Sequence, residues 1–321
     1  MPRLNASSRI MYETAQELGI ECVVFDDKET ILMSKGSAQW YTRGSRTSLQ
    51  SSVGKSIADN KSLTKKVLAH FQIPTARFCV LKTTTDLDQL DSLQFPIVMK
   101  PTNERHGKGV LVGIQSKAQA AEIWANQTYD AILCEEMLKG TEYRIVCVDY
   151  KFVAAAFRKP AHVTGDGVHT VTDLIAEKNR HPWRGDGHEN NLSLIKVDDA
   201  VEKYLSEQGF NLESIPAPEQ VVNLRKTANL STGGEAWDVT DTVSVENQQL
   251  FEKIARACDL NTVGIDIMCD SLTTPIITQD HAGVIEVNAS PGLRMHHYPI
   301  QGEPRLVAHK ILTMVMDHFL T

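Results

Sequence analysis

One stretch near the C-terminal end of the sequence predicts a short apolar strand that ends in a tight turn: Gly283-Val284-Ile285-Glu286-Val287-Asn288-Ala289-Ser290-Pro291-Gly292. Glu286 and Asn288 are two residues apart, so their side chains share one face of this strand. A second predicted strand, Asn261 to Cys269, carries Asp266 and can pair antiparallel with the first. The three side chains then converge, and their oxygen atoms suit Mg²⁺. The alternative is that these polar groups simply face water.

A lysine at the end of another predicted strand indicates a site for an anion. Lys100 closes the buried strand Pro96 to Lys100, where its charge is costly unless an anion lies nearby. The loop from Asn103 to Gly109 follows, and its glycines allow backbone N–H groups to approach phosphates. Val110 to Ile114 completes a β-hairpin, and the loop lacks the ending of a Walker A motif. An ordinary hairpin turn is the alternative.

A third region combines a strand end with three acids. Glu135 and Glu136 end a predicted strand, and Glu142 follows a turn at Gly140. An extended segment of this kind can offer backbone groups to the edge of a purine, and Glu142 could accept hydrogen bonds from ribose hydroxyls. A solvent-exposed linker between lobes is equally compatible with this pattern.

The composition limits the classes of function. The chain has 321 residues, which at roughly 100–200 residues per domain predicts two or three lobes. Its 33 Lys and Arg against 40 Asp and Glu give a net charge of -7, which argues against general nucleic-acid binding. No apolar run approaches the roughly 20 residues that span a bilayer. The polar start, Met1 to Arg9, predicts no secretion signal.

The cysteines and the order of elements complete this prediction. The six cysteines form no C-x-x-C motif, so we expect reduced, mostly buried thiols in a cytoplasmic protein. Hairpins mixed with helices favour an α+β fold over a doubly wound parallel sheet. The stretch Thr42 to Ser56, rich in Ser, Thr, Gly and Arg, is predicted as a loop and a candidate boundary.

The order of these motifs along the chain resembles the ATP-grasp ligases, from about Asp59 to the C-terminus. Further segments resemble the ATP-grasp part of cyanophycin synthetases and of bifunctional glutathione synthetases. These segments are Pro160 to Gly167, Arg184 to His188, and Leu224 to Gly234. Arg46 to Ser52, Asp59 to Lys61 and Gly292 to His296 also look similar to cyanophycin synthetases.

This resemblance implies two α+β lobes that clamp ATP, preceded by a short N-terminal α/β segment. The implied division is 1–58 for the N-terminal segment, 59–140 for the first lobe with its nucleotide flap, and 141–321 for the second lobe. The second lobe would contain an insertion at about 165–234 and the Mg²⁺ site.

The resemblance also assigns residues. The implied ATP contacts are Lys61, Lys100, His106, Gly107, Lys108, Gly109, Glu135, Glu136, Leu138 and Glu142. The implied ligands of Mg²⁺, with Mn²⁺ as an alternative, are Asp266, Glu286 and Asn288. Many relatives carry an arginine two residues before the metal-binding Asp, where this sequence has Gly264. Our candidates for a replacing catalytic charge are Arg225, Arg144 and Arg294. Candidate substrate contacts are Asn229, Ser231, Thr232, Gly233, Gly234, Arg294 and His296, and His188 is a candidate acid–base group.

The reaction implied is ATP-dependent amide or peptide bond formation through an acylphosphate, on a small carboxylate and an amine such as amino acids or small peptides. The alternatives are a non-catalytic ATP-binding regulator or partner subunit, and a small-molecule kinase on the same fold. We expect no nucleic-acid or membrane partner, and a homo-oligomer, either a dimer or a tetramer.

Overall fold

The computed structural model describes residues 4–104, 108–186 and 190–320. Within these ranges the helices are α1 Ala6–Glu17, α2 Ser52–Asp59, α3 Lys61–His70, α4 Lys117–Asn126, α5 Val171–Asn179, α6 Asp199–Glu207, α7 Val245–Ala257, α8 Arg294–His297 and α9 Val307–Phe319. The strands are β1 Glu21–Val24, β2 Thr30–Lys35, β3 Ala38–Arg43, β4 Arg46–Thr47, β5 Phe78–Leu81, β6 Ile97–Pro101, β7 Leu111–Ile114, β8 Ile132–Glu136, β9 Thr141–Val148, β10 Lys151–Lys159, β11 His162–Thr164, β12 Arg184–Gly185, β13 Leu192–Ser193, β14 Val221–Asn223, β15 Glu235–Asp238, β16 Thr262–Cys269 and β17 Gly283–Asn288. No helix in the described ranges is long and apolar enough to cross a membrane.

The chain divides into two compact units that each combine stretches distant in sequence. Unit 1 comprises Met1–Ser48, Val153–Thr240 and Gly292–Thr321. Unit 2 comprises Leu49–Phe152 and Asp241–Pro291. The lobes expected from the resemblance, 1–58, 59–140 and 141–321, are continuous segments, whereas each compact unit combines separate stretches of the chain. The division into these lobes therefore stays a prediction.

Unit 2 contains two antiparallel sheets. In the first, the strand order is β5-β8-β6-β7, so the hairpin predicted from Pro96 to Ile114 is present as β6 and β7. Its apolar face packs with α4 around Leu81, Ile97 and Ala120, all fully buried. In the second sheet, β16 pairs antiparallel with both β9 and β17, as the sequence predicted for β16 and β17.

Unit 1 contains the meander β1-β2-β3-β4 and the antiparallel pairs β10–β15 and β11–β14. A separate apolar core lies between β11, β14, α5 and α6, with Val171, Val201 and Val222 fully buried. The mixture of hairpins and helices confirms the predicted α+β class.

The loop predicted for Thr42 to Ser56 is wrong, because this stretch contains the strand β4 and most of helix α2. Ser51 caps α2 by accepting a hydrogen bond from Gly54 N at 3.0 Å. A β-carbon at Gly54 would lie 2.1 Å from the carbonyl oxygen of Asp259, so only glycine fits at this helix contact. The glycine that suggested a loop is there for close packing.

A half-buried histidine in unit 1 generates a prediction about pH. His297 Nε2 accepts a hydrogen bond from Ala308 N at 3.1 Å, and burial lowers the pKa of His297 to about 4. The unfolded chain binds a proton near pH 6.5, so stability is complete above that pH and falls as pH drops toward 4.

Protonation of His297 in the unfolded chain should cost the wild-type protein about 2 kcal/mol of unfolding free energy between pH 7.5 and pH 5. We expect His297→Gln to lack this part of the loss, as measured by urea unfolding at the two pH values. The exposed His318, changed to Gln, serves as the control and should leave the loss unchanged. Equal pH slopes for wild type and His297→Gln would contradict this assignment.

Candidate active site

Three neighbouring strands of unit 2 bring the predicted metal ligands together. In the register of the sheet, Asp266 of β16 lies opposite Glu286 of β17 on one side and Arg144 of β9 on the other. Gly264 lies opposite Asn288 in the same sheet. The convergence expected from the two-residue spacing is therefore present in the structure.

Arg144 and Asp266 form a buried, two-pronged ion pair. Arg144 donates from Nε to Asp266 Oδ1, and from Nη2 to Oδ2 at 2.9 Å. Burial lowers the pKa of the Arg144 guanidinium, but the adjacent Asp266 outweighs burial and raises that pKa above its usual range. The two hydrogen bonds thus fix the rotamers of both side chains.

Gly264 lies against Pro291 and Arg144. A β-carbon at position 264 would lie 2.9 Å from Pro291 Cβ, too close for an unshifted contact, and 3.5 Å from both Cδ and Nη1 of Arg144, an ordinary contact distance. Arg144, one of the three arginines suggested by the sequence, is therefore beside the position at which the resemblance places an arginine.

The residues present fit a divalent cation with oxygen ligands. Asp266 and Glu286 supply carboxylates, and the Asn288 side chain supplies an amide oxygen, Oδ1, while its buried Nδ2 has no hydrogen-bond partner among the described residues. A carboxylate oxygen carries two lone pairs, so accepting from Arg144 does not by itself prevent an oxygen of Asp266 from binding a metal. Among the described residues no cluster of three His, Cys, Asp or Glu side chains could hold a metal, so the set depends on the Asn288 amide.

The anion that Lys100 requires is Glu135 of the adjacent strand β8. The Lys100 ammonium donates to Glu135 Oε1, and Lys65 lies 2.9 Å from Oε2 as an ion pair. The three side chains are buried, with 5% of Lys100, 2% of Lys65 and 6% of Glu135 exposed. Burial raises the pKa of the Glu135 carboxyl, but the two lysines outweigh burial and bring it below its usual range.

Lys65 was missed by the sequence reasoning. Its ammonium donates to Thr75 Oγ1 at 2.6 Å and to the carbonyl oxygen of Val284 at 3.0 Å, two residues before Glu286. Burial lowers its pKa to about 8, so it is charged at neutral pH. The available signal was its position four residues after Lys61, which places both lysines on one face of helix α3.

Lys61 lies against one of the predicted metal ligands. Asn60 caps α3 by accepting from Leu63 N, which fixes Lys61 as the first residue of that helix. Lys61 Nζ lies 3.4 Å from Glu286 Oε1 and donates to the carbonyl oxygen of Glu104. Helix α3 therefore supplies both Lys61, beside Glu286, and Lys65, beside Glu135.

The remaining predicted ATP contacts are more exposed or outside the described residues. Lys108 is exposed and lies 3.7 Å from Glu104 Oε1, and Glu136 Oε1 accepts from Gln94 N at 2.9 Å. Leu138 and Glu142 are half-buried. Gly109 has φ +72°, a conformation that favours glycine. His106, Gly107 and His188 lie outside the described residues.

The predicted substrate contacts belong to unit 1. Asn229 to Gly234 form a short 3₁₀ turn that ends at Gly233, which has φ +94°. Arg225 donates to Asp198 Oδ2 at 2.7 Å, and Arg294 and His296 are buried in α8. The roles of these residues stay predictions.

Known proteins show the same fold and related sequences. The sequence profile of the RimK-like ATP-grasp domain matches residues 58–165. A cyanophycin synthetase from Geminocystis herdmanii is 34% identical over 318 residues, which cover 97% of this chain and 36% of that protein. The glutathione biosynthesis bifunctional protein GshAB from Pasteurella multocida is 33% identical over 324 residues, covering 97% of this chain and 42% of that protein.

Solved structures agree. The crystal structure of a bifunctional glutathione synthetase from Pasteurella multocida superposes with a TM-score of 0.77 at 30% identity, covering 98% of this chain and 44% of the other. A D-alanine–D-alanine ligase from Bacillus anthracis has a TM-score of 0.50 at 15% identity and covers 84% of this chain and 70% of the other, which supports the fold alone. The chain has the ATP-grasp fold, and the resemblance seen in its motifs is confirmed. It spans less than half the length of the curated relatives named here.

The shared Glu135 carboxylate yields a test of the site's electrostatics. Glu135→Gln would leave Lys65 and Lys100 buried without a carboxylate. We therefore expect the free energy of unfolding, measured in urea, to fall by about 3–5 kcal/mol. Adding Lys65→Met should recover part of that loss, because one buried charge is removed.

The exposed Glu122→Gln in the same unit is the control and should change stability by less than about 0.5 kcal/mol. If Glu135→Gln changed stability as little as this control, the assignment of Glu135 as the carboxylate shared by Lys65 and Lys100 would be wrong.

Proposed function

We propose that this chain is an ATP-dependent carboxylate–amine ligase that forms an amide or peptide bond. The observation that carries the proposal is the set of paired charges in unit 2, where lysines and an arginine lie against Glu135, Asp266 and Glu286. The named relatives are a cyanophycin synthetase and a glutathione biosynthesis protein, whose names describe synthesis.

The charges of this set favour a polyanion. Lys61, Lys65, Lys100 and Arg144 supply four cations, whereas Glu135, Asp266 and Glu286 supply three anions. One cation is therefore left over before a divalent metal is counted. Lys61 and Lys100 each contact a carboxylate or carbonyl oxygen of the protein itself. Phosphate oxygens also accept charge-assisted hydrogen bonds, so they can compete with these acceptors for the two lysines.

The reaction follows in two steps. A carboxylate oxygen of the first substrate attacks the γ-phosphorus of ATP, and the bond to the β–γ bridging oxygen breaks, giving an acylphosphate and ADP. The amine of the second substrate then attacks the acyl carbon, loses a proton and expels phosphate. Positioning and charge stabilisation supply most of the catalysis in such transfers, which requires no nucleophile from the protein.

Asp266, Glu286 and Asn288 would hold Mg²⁺, or Mn²⁺, which when bound neutralises phosphate charge. Arg144, fixed by Asp266, would stabilise the charge that develops on the transferred group. The further nucleotide contacts assigned by the resemblance, from the glycine loop to Glu142, belong to the same proposal.

The alternative of a regulator without ligase activity rests on the absence of an arginine at position 264. Because Arg144 lies beside Gly264, that feature no longer favours loss of activity. A kinase would differ by releasing a stable phosphorylated product without an amine. The proposal also includes amino acids or small peptides as substrates, a cytoplasmic location and a homo-oligomeric state.

The proposal is tested by ADP release from purified protein with ATP and Mg²⁺. We expect release to require a carboxylate and an amine together, across a panel of amino acids and dipeptides, with an amide product seen by mass spectrometry. ADP release with a phosphorylated product and no amine would favour the kinase.

Glu286→Gln tests the metal assignment in the same assay, with the exposed Glu246→Gln as its control. We expect Glu286→Gln to lose activity at low Mg²⁺ and Glu246→Gln to keep it. An active Glu286→Gln enzyme with an unchanged Mg²⁺ requirement would show that the metal ligands are wrong.

Arg144→Lys tests the replacing arginine. Lysine keeps the charge but cannot make the two-pronged contact with Asp266, so we expect kcat to fall roughly 10²–10³-fold, as for loss of one transition-state donor. KM for ATP should change little. The exposed Arg256→Lys in the same unit is the matched control. An equal kcat for both variants would exclude Arg144 from the transition state.

A further inference from the structure

Three oxygen atoms of the protein surround the ammonium of Lys65 in unit 2. Its Nζ donates to Thr75 Oγ1 at 2.6 Å and to the carbonyl oxygen of Val284 at 3.0 Å, and Glu135 Oε2 lies 2.9 Å away. An ammonium carries three N–H bonds, so these oxygens match its donors in number. Since only 2% of the residue is exposed, Lys65 is placed to act on other side chains and not to contact a ligand itself.

Lys100 shares the same carboxylate but has different surroundings. Its ammonium donates to Glu135 Oε1, which is its one hydrogen-bond acceptor within the residues that the structure describes. Two of its three N–H bonds therefore have no acceptor in this part of the chain. Of the two lysines that contact Glu135, Lys100 is the one with donors left for an added anion.

Lys65 changes the net charge that an anion meets at Lys100. Lys65 and Lys100 carry two positive charges and Glu135 one negative charge, which leaves a net charge of +1. Burial lowers the pKa of Lys65 to about 8, so its ammonium stays charged at neutral pH. Without Lys65, the Lys100–Glu135 pair would have no net charge, and an anion at Lys100 would also be repelled by the carboxylate.

The position of Lys65 does not depend on Lys100. The Thr75 hydroxyl, which accepts from Lys65, itself donates to the carbonyl oxygen of Val284 at 3.0 Å. Val284 N in turn donates to the carbonyl oxygen of Pro74 at 2.9 Å. These bonds hold Lys65 from two segments of the chain that do not include Lys100. A change of partner at Lys100 would therefore leave Lys65 beside Glu135.

We propose that Lys65 is a positioning residue for the nucleotide: it neutralises Glu135, so that Lys100 presents a full positive charge to a phosphate group. The inference rests on the proposed function, which assigns Lys100 to the phosphates of ATP. Lys65 acts through Glu135 and touches no part of the nucleotide. Phosphate oxygens receive charge-assisted hydrogen bonds from Lys100, while Glu135 keeps its ion pair with Lys65.

The experiment measures how much the phosphates add to nucleotide affinity. The Kd values of ATP and of adenosine are determined by isothermal titration calorimetry, with Mg²⁺ and without substrates. The ratio of the Kd of adenosine to that of ATP gives the phosphate contribution, because both ligands share the base and the ribose. We expect Lys65→Met to lower this ratio roughly 10-fold, since one positive charge is lost from a buried cluster. Lys66→Met changes an exposed lysine of the same helix and should keep the wild-type ratio.

A second variant separates the charge of Lys65 from its hydrogen bonds. Lys65→Gln can still donate to Thr75 or to the carbonyl of Val284 but carries no charge, so we expect the same fall in the ratio. Both variants leave Glu135 paired with Lys100, and we expect both to fold, as checked by circular dichroism and Tm. A wild-type ratio in Lys65→Gln would overturn the proposal, because a structural lysine would alter the affinities for ATP and adenosine alike.

The double variant Lys65→Met/Glu135→Gln tests the action through Glu135. It removes one charge of each sign, so Lys100 alone supplies the net charge of +1, and we expect the ratio to return to near the wild-type value. Any effect of Glu135→Gln on binding of the base cancels in the ratio. A ratio as low as that of Lys65→Met alone would show that Lys65 does not act through Glu135, and the proposal would be wrong.

The two proposals fail in different ways. If wild type bound ATP and the variants changed the ratio as expected, but no amide formed with any pair of substrates, only the ligase proposal would be wrong. If an amide formed and Lys65→Met kept the wild-type ratio, only the role of Lys65 would be excluded. Failure of wild type to bind ATP would overturn both.

Discussion

Buried charge that must be paired is the constraint on which the candidate site depends. Asp266 sits between Arg144 and Glu286 because antiparallel pairing sets their three strands in one register. Glu135 is shared by Lys65 and Lys100 in the neighbouring sheet. Removing Glu135, Asp266 or Arg144 would leave an uncompensated charge in a low-dielectric interior, so these pairs hold the rotamers of a preorganised site.

The exchange between Gly264 and Arg144 shows how this constraint is met by different residues. A β-carbon at position 264 would contact Arg144 at an ordinary distance, which puts the Arg144 guanidinium beside this strand position. Under the proposed function, the charge that relatives supply from position 264 comes instead from the adjacent strand. Sequence spacing alone looks for the arginine two residues before Asp266, and only the cross-strand register reveals the other solution.

The sequence alone determined the α+β class, the antiparallel pairing of β16 with β17, and the grouping of Asp266, Glu286 and Asn288, because strand periodicity and short spacing are local properties. It also singled out Lys100 as a buried charge in need of an anion. Only the tertiary structure decided that Glu135 is that anion, that Lys65 shares it, and that Arg144 is the arginine beside Gly264. It likewise turned the predicted loop around Gly54 into helix α2, since the contact with Asp259 is more than 200 residues away in sequence. Such contacts follow from packing between distant segments, which neither propensity nor spacing encodes.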